Sequence, residues 1–261
     1  MLQSAKYKLY NLKQSNSKGL KISQLKISVI VPFYNTPPKY FKRCLDSLKK
    51  TNPYEVILVD DCSTQEECVQ MAKKSGFKYI KTEKQSGRDG HPINVGMAAA
   101  TAEYACRVDS DDELLALPTT MSTDICFGYQ SGVQPAFNLT IESLILEPRA
   151  LMHASVMKRE IFLKYPFATD ANIYCDVLFT LQVLYNKYTF TSYPQVNYIY
   201  NTLEDSIITS KSLFNQRLIH MQTVARFCEM ENIEPNEAFR FLQFAMLNVQ
   251  HGRDALKFFR K

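Results

Sequence analysis

The sequence predicts an α/β sandwich around a mainly parallel central sheet, and three observations lead there. Short β-branched apolar runs alternate with amphipathic segments. The links between successive runs are too long for hairpins, so neighbouring strands run parallel with helices on both faces. Two of the runs end in clusters of acids, and an open parallel sheet binds its ligands beyond the carboxyl ends of its strands.

Residues 27–33 (ISVIVPF) form the first buried strand, closed by Pro32 and the turn chemistry of Asn35, Pro37 and Pro38. A helix comes next, because Tyr40, Phe41, Cys44, Leu45 and Leu48 recur at helical spacing, with Lys39, Lys42, Arg43, Asp46 and Lys49 on the other face. Residues 55–60 (EVILVD) are the second strand and lead through Asp61-Cys62-Ser63-Thr64 into another helix. Residues 77–80 make a short third strand, 94–102 an Ala-rich helix, and 104–109 (YACRVD) a fourth strand. After Glu113 the periodicity loosens. Antiparallel strands are expected at 124–129 and 137–145, helices at 155–163 and 173–185, and a helical region over 213–261 in which Pro235 marks a helix start.

Residues 1–24 carry Lys6, Lys8, Lys13, Lys18 and Lys21 and no acid, and read as a basic extension, either a solvated terminus or a membrane-surface contact. The domain proper is expected over 25–212, in two halves at 25–113 and 114–212. With 46% hydrophobic and 22% charged residues in 261, the composition excludes disordered and fibrous classes. Seven scattered cysteines without a CxxC pair argue against a disulfide framework or a zinc site. No apolar run approaches the roughly 20 residues of a membrane span, which predicts a cytoplasmic chain. A net charge of +5 without a clustered basic stripe argues against nucleic acid and suits an anionic small molecule.

The acid clusters nominate the site. In Asp109-Ser110-Asp111-Asp112, alternate residues of a strand running into a loop point the same way, so Asp109 and Asp111 can converge. Two carboxylates 5 Å apart repel by roughly 3 kcal/mol at an effective dielectric of 20. A divalent cation with oxygen ligands, Mn²⁺ or Mg²⁺, would relieve that repulsion; the other reading is an acidic turn capping the next helix. Asp60 and Asp61 suit either a nucleoside or the cap of the helix beginning near Thr64. His91, His153, His220 and His251 have no ligand spacing.

Together, the segments 27–35 (ISVIVPFYN), 55–64 (EVILVDDCST), Asn94-Val95-Gly96 and 104–114 (YACRVDSDDEL) closely resemble the family 2 glycosyltransferases. Residues 153–160 (HASVMKRE), Tyr174-Cys175-Asp176 and 198–207 (YIYNTLEDSI) resemble, more weakly, the family's acceptor-side segments. The resemblance implies the GT-A fold, a Rossmann-like α/β/α sandwich, here with a C-terminal helical extension. It implies that Pro32, Phe33, Tyr34, Asn35, Asp60 and Asp61 hold the nucleoside, with Asn94 and Ser110 on the same nucleotide-sugar. Asp111 would bind the metal, with Asp109 nearer the ribose or the metal waters. Asp176 would be the general base, with His153 and Asp112 on the acceptor side. Ile93 stands where the family has an arginine, leaving Arg88 or nothing for the diphosphate, and Cys175 replaces a customary glutamate. Tyr198 or Tyr200 could stack on a sugar ring.

The expected reaction is an inverting, metal-dependent transfer of one sugar from a nucleotide-sugar, a UDP-sugar first, to a glycan or lipid-linked acceptor. The setting implied is bacterial surface polysaccharide, capsule or lipooligosaccharide assembly, with peripheral contact at the inner membrane. The absence of Trp rules out the QxxRW motif of processive synthases, and GxGxxG and P-loop motifs are missing. The competing expectation is a GT-A-like scaffold that has lost turnover.

Overall fold

The computed structural model describes residues 25–132, 139–149, 151–170, 173–201 and 212–251. β1 (Ile27–Phe33) is buried along its whole length and β2 (Glu55–Asp60) along all but its first residue. This is why both read as continuous apolar runs rather than alternating ones. Between them α1 (Pro38–Thr51) starts on a proline, whose missing N–H costs nothing in a first turn, and ends on Asn52 in the left-handed conformation. α2 (Glu66–Lys74) sets acids in its first turn and lysines in its last, matching the helix dipole. β3 (Lys78–Lys81), α3 (Gly90–Ala99) and β4 (Tyr104–Arg107) complete the first half.

Beyond it lie β5 (Glu113–Leu114), β6 (Ile125–Phe127), α4 (Ile141–Leu146), β7 (Val156–Lys158), α5 (Arg159–Lys164), α6 (Cys175–Tyr185), β8 (Phe190–Ser192), β9 (Tyr198–Ile199), α7 (Leu213–Met230) and α8 (Pro235–His251). The seven-stranded sheet has the order β3-β2-β1-β4-β7-β6-β8, and β5 pairs with β9 in a separate antiparallel ribbon. β3, β2, β1 and β4 run parallel, β7 is antiparallel to β4 and β6, and β8 is parallel to β6.

Alternation along β1 divides the core. Val29 and Val31 join the residues of α1 and α2 on one face, and Ile30 joins those of α3 to α8 on the other. Gly96 sets the spacing of the second layer: a Cβ there would stand 2.4 Å from Ile30 Cγ2 and 3.1 Å from Val59 Cγ2, so only glycine lets α3 lie this close to β1 and β2.

Three expectations about elements are corrected. The strand expected at 137–145 is instead, in its described part, the helix α4, because Thr140 and Ser143 form a reciprocal capping box around its first turn. Residues 137 and 138 lie outside the described residues. The helix expected from 155 begins only at Arg159, since 156–158 are β7 and fill the sheet position beside β4. The Ala-rich helix starts four residues earlier than 94 and stops at Ala99, with Ala100 extended. The basic extension at 1–24 also lies outside the described residues, as do 252–261 of the helical region, whose described part is α7 and α8.

Candidate active site

The carboxyl ends of β1, β2 and β4 carry Tyr34-Asn35, Asp60-Asp61 and the acid loop 109–112, on one edge of the sheet, as parallel pairing requires. The nucleoside-side residues are mostly committed to the protein itself. Pro32 is buried, and Phe33 packs against Phe41 and Tyr79 with ring centroids 4.9 and 6.4 Å apart. Asp60 has no exposed surface; Ser63 N donates to its Oδ1 at 2.7 Å and the Tyr79 hydroxyl to its Oδ2 at 2.7 Å.

Asp61 accepts from Ser86 N and Oγ and from Thr82 Oγ1, tying the loop before α3 to β2. Asn35, at φ 49°, offers its Oδ1 to the amides of Thr64 and Gln65 at 2.8 and 2.9 Å. No side chain caps α2 itself; Asn35 holds the turn that leads into it, and the cap expected of the Asp60-Asp61 pair is not made. Tyr34 is the member of this group left exposed. Asn94 is bonded through both side-chain atoms to the backbone of Phe167. Ser110 Oγ lies 2.6 Å from Thr36 Oγ1 and joins the β1 and β4 loops.

The acid loop is organised by Arg107, a cation the motif reading did not select. At the last position of β4 its side chain is 7% exposed, and it binds Asp109 through Nε (2.7 Å) and Nη2 (3.1 Å). The same Nη2 lies 2.8 Å from Asp89 Oδ2, at the start of α3. His153 Nε2 lies 3.0 Å from Asp109 Oδ2, the oxygen that Arg107 Nη2 also binds, and is placed there by the bridge between residues 107 and 153. Burial alone would raise the Asp109 carboxyl, but Arg107 and His153 outweigh it and hold it well below the usual carboxylate range. Burial likewise pulls the His153 imidazole down, and the Asp109 charge reverses the shift, so it titrates above an ordinary histidine. The only sequence signal for Arg107 was a charged residue inside an otherwise apolar strand.

Asp111 behaves differently. Burial first, then the charge of Asp109, raises its carboxyl, and no hydrogen bond from another described residue reaches its oxygens. Asp112 is 1% exposed and structural: the Tyr198 hydroxyl donates to it at 2.6 Å and Asn201 N at 2.7 Å. Burial, assisted by Asp109 and Asp111, pushes its carboxyl up to about 7. Tyr198 is likewise fully buried, stacked on His153 at 5.4 Å, and offers no ring face to a sugar; Tyr200 is partly exposed.

Asp176, in the first turn of α6, reaches the same cluster. Burial raises its carboxyl, against the pull of Arg107 and His153. Cys175 beside it faces Asp89, Sγ to Oδ1 3.6 Å, and Arg88 lies close enough to act on Tyr174. The fold therefore brings Asp89, Arg107, Asp109, Asp111, His153 and Asp176 around one point. Asp60, Asn35 and Asn94 act as struts of the surrounding loops.

Among the described residues no group of three or more His, Cys, Asp or Glu could by itself hold a metal. Asp111 fits a cation ligand, a raised carboxylate facing another acid. Asp109 already has its oxygens in ion pairs with Arg107 and His153, so of the two carboxylates expected to hold a metal only Asp111 has its oxygens open for one. A hollow of about 250 Å³ at the amino end of β1, lined by Leu25, Ile27, Pro53, Tyr54, Leu115 and Leu117, contains none of these residues.

A mostly parallel sheet with acid-tipped strand ends and a helical layer on each face defines a sandwich of the GT-A type. Residues 28–116, about a third of the chain, match the model for Glycosyl transferase family 2. Over 95 residues the chain is 41% identical to Poly(ribitol-phosphate) beta-N-acetylglucosaminyltransferase TarS of Staphylococcus aureus, a match covering 34% of this chain and 16% of that protein. It is 27% identical over 227 residues to Poly(ribitol-phosphate) beta-N-acetylglucosaminyltransferase TarP of Staphylococcus aureus, covering 73% of this chain and 68% of that one. The crystal structure of S. aureus TarS 1–349 in complex with UDP-GlcNAc superposes with a TM-score of 0.62 at 22% identity, over 88% of this chain and 74% of that chain. The match to the first of these relatives thus spans about a sixth of that relative's length.

Proposed function

We propose that the chain transfers one sugar from a UDP-sugar to a hydroxyl of a surface glycopolymer or its lipid-linked precursor, with inversion at the anomeric carbon. The carrying observation is the convergence of Asp176, a half-buried carboxylate that no described side chain pairs, with the acid loop of β4 around Arg107 and His153. The family 2 match over the donor half supports the reaction type, and the names of the relatives, both poly(ribitol-phosphate) transferases, favour a polyol-phosphate polymer over lipooligosaccharide as acceptor.

A carboxylate whose affinity for protons is raised by burial is the better general base. Asp176 takes the acceptor proton as the oxygen attacks the face opposite the departing diphosphate, and one displacement inverts the centre. Arg107 holds Asp109 in place, and Asp111 is left to the donor's diphosphate. A Mn²⁺ or Mg²⁺ ion held by Asp111 and the diphosphate oxygens would supply Lewis-acid stabilisation of the leaving group. No described helix is long and apolar enough to cross a membrane, which suits an enzyme meeting its acceptor at the cytoplasmic membrane surface.

The test is release of UDP from UDP-sugars with Mn²⁺, with and without poly(ribitol phosphate). Wild type is expected to release UDP, faster with acceptor. Asp111→Ala is expected to remove the metal response, and Asp176→Asn to lose transfer while still binding UDP. Nucleotide binding with no release under any condition would favour the scaffold reading.

A further inference from the structure

Asp89 stands at the N-cap position of α3, where an aspartate ordinarily accepts from the first-turn amides, yet it makes no capping bond. Its carboxylate turns instead to Arg107 Nη2, 2.8 Å away, and to Cys175 Sγ at 3.6 Å. The side chain is 40% exposed, so it faces the cleft while the guanidinium lies behind it. Arg107 is buried and must be paired. Its charge acts on three aspartates, Asp109, Asp89 and Asp176. Asp109 receives its hydrogen bonds and Asp89 its ion pair; Asp176 instead accepts from the amide of Val177 in its own helix.

We propose that Asp89 is a positioning residue that occupies the free edge of Arg107 and so keeps the guanidinium from pairing with Asp176, a role open in this chain because position 175 carries no carboxylate. The inference rests on the transfer reaction proposed above, with Asp176 as its base. The groups acting on Asp176 are Arg107 from β4, His153 ahead of β7 and Asp89 at the mouth of α3, with Tyr174 and Cys175 beside it and Arg88 facing Tyr174. Removing the Asp89 charge deletes a like charge from this set and leaves the pull of Arg107 less opposed. Both effects favour the ionised form of Asp176.

The experiment tracks the Asp176 carboxyl by ¹³C NMR titration, assigned by its loss in Asp176→Asn, together with the pH profile of kcat. In Asp89→Ser, whose hydroxyl can cap α3 from the same position, the Asp176 midpoint is expected to fall by about one pH unit, the acid limb of kcat moving with it and kcat decreasing. Asp89→Glu, which keeps the charge, is expected to restore both. An unmoved midpoint in folded Asp89→Ser, or the same shift in Asp89→Glu, overturns the inference. Failure of the wild type to transfer sugar would overturn the proposed function instead, while the midpoint shift still decides the role of Asp89.

Discussion

Replacing Arg107 by Met removes the cation and keeps most of the side-chain volume, so its consequence is chiefly electrostatic. Three short contacts are lost, two to Asp109 at 2.7 and 3.1 Å and one to Asp89 at 2.8 Å. Breaking a buried pair from one side costs about 3–5 kcal/mol, because the surviving charge is left without its partner. His153 still faces Asp109, and Asp89 is 40% exposed and can return to water, so the lower end, about 3 kcal/mol at pH 7.5, is expected.

The pH dependence carries a definite sign. Asp109 is held below its unfolded range, so in wild type its contribution is present above about pH 4 and fades as the pH falls through the depressed folded value. Without Arg107, burial is opposed by His153 alone, so the same carboxyl rises and takes up a proton earlier as the pH drops. The deficit of the variant should therefore be largest near neutrality and narrow toward acid. Urea denaturation of both proteins at pH 7.5, 6 and 5 measures this. A loss below about 1 kcal/mol, the size found for exposed pairs such as Lys42–Asp46, would refute the reasoning, as would a deficit that does not change with pH.

His220 is 1% exposed, shares its Nε2 with Ile145 O at 2.7 Å, and has Nδ1 unpaired; burial, only partly offset by that bond, lowers its pKa. The unfolded chain then takes up a proton below about pH 6.5 that the folded one refuses, so stability falls there by up to about 1.4 kcal/mol per pH unit; urea midpoints of His220→Gln between pH 7.5 and 5.5 should show a flatter curve, and an equal slope would count against it. Gly96→Ala should cost about 1–3 kcal/mol of unfolding free energy, since its methyl would overlap Ile30 at 2.4 Å, and an unchanged denaturation midpoint would contradict the packing. Asn35→Ala should lose about 1–2 kcal/mol by leaving the Thr64 and Gln65 amides without their acceptor. Calorimetric UDP affinity, compared at a temperature where both proteins are folded, then reports whether Asn35 contributes anything to the nucleotide beyond holding its loop.

The sequence by itself determined the parallel half of the fold and the edge of the sheet on which chemistry can occur. β-branched runs buried on both faces, helical spacing between them and acids at strand ends are local patterns, and local patterns are what periodicity records. It was less informative after Glu113, where three-residue strands such as β6 and β7 are too short to display a period and take their conformation from the sheet they join. Only the tertiary structure decided which acids are free. Asp60 and Asp112 are consumed by hydroxyl and amide donors, Asp109 by Arg107 and His153, while Asp111 and Asp176 keep carboxylates that no other described residue's side chain claims. Asp89 and Arg107 were invisible as a pair because they meet across the sheet edge from different elements. A charge buried at such a junction must find its partner wherever the chain brings one, and that pairing leaves no mark on residue spacing.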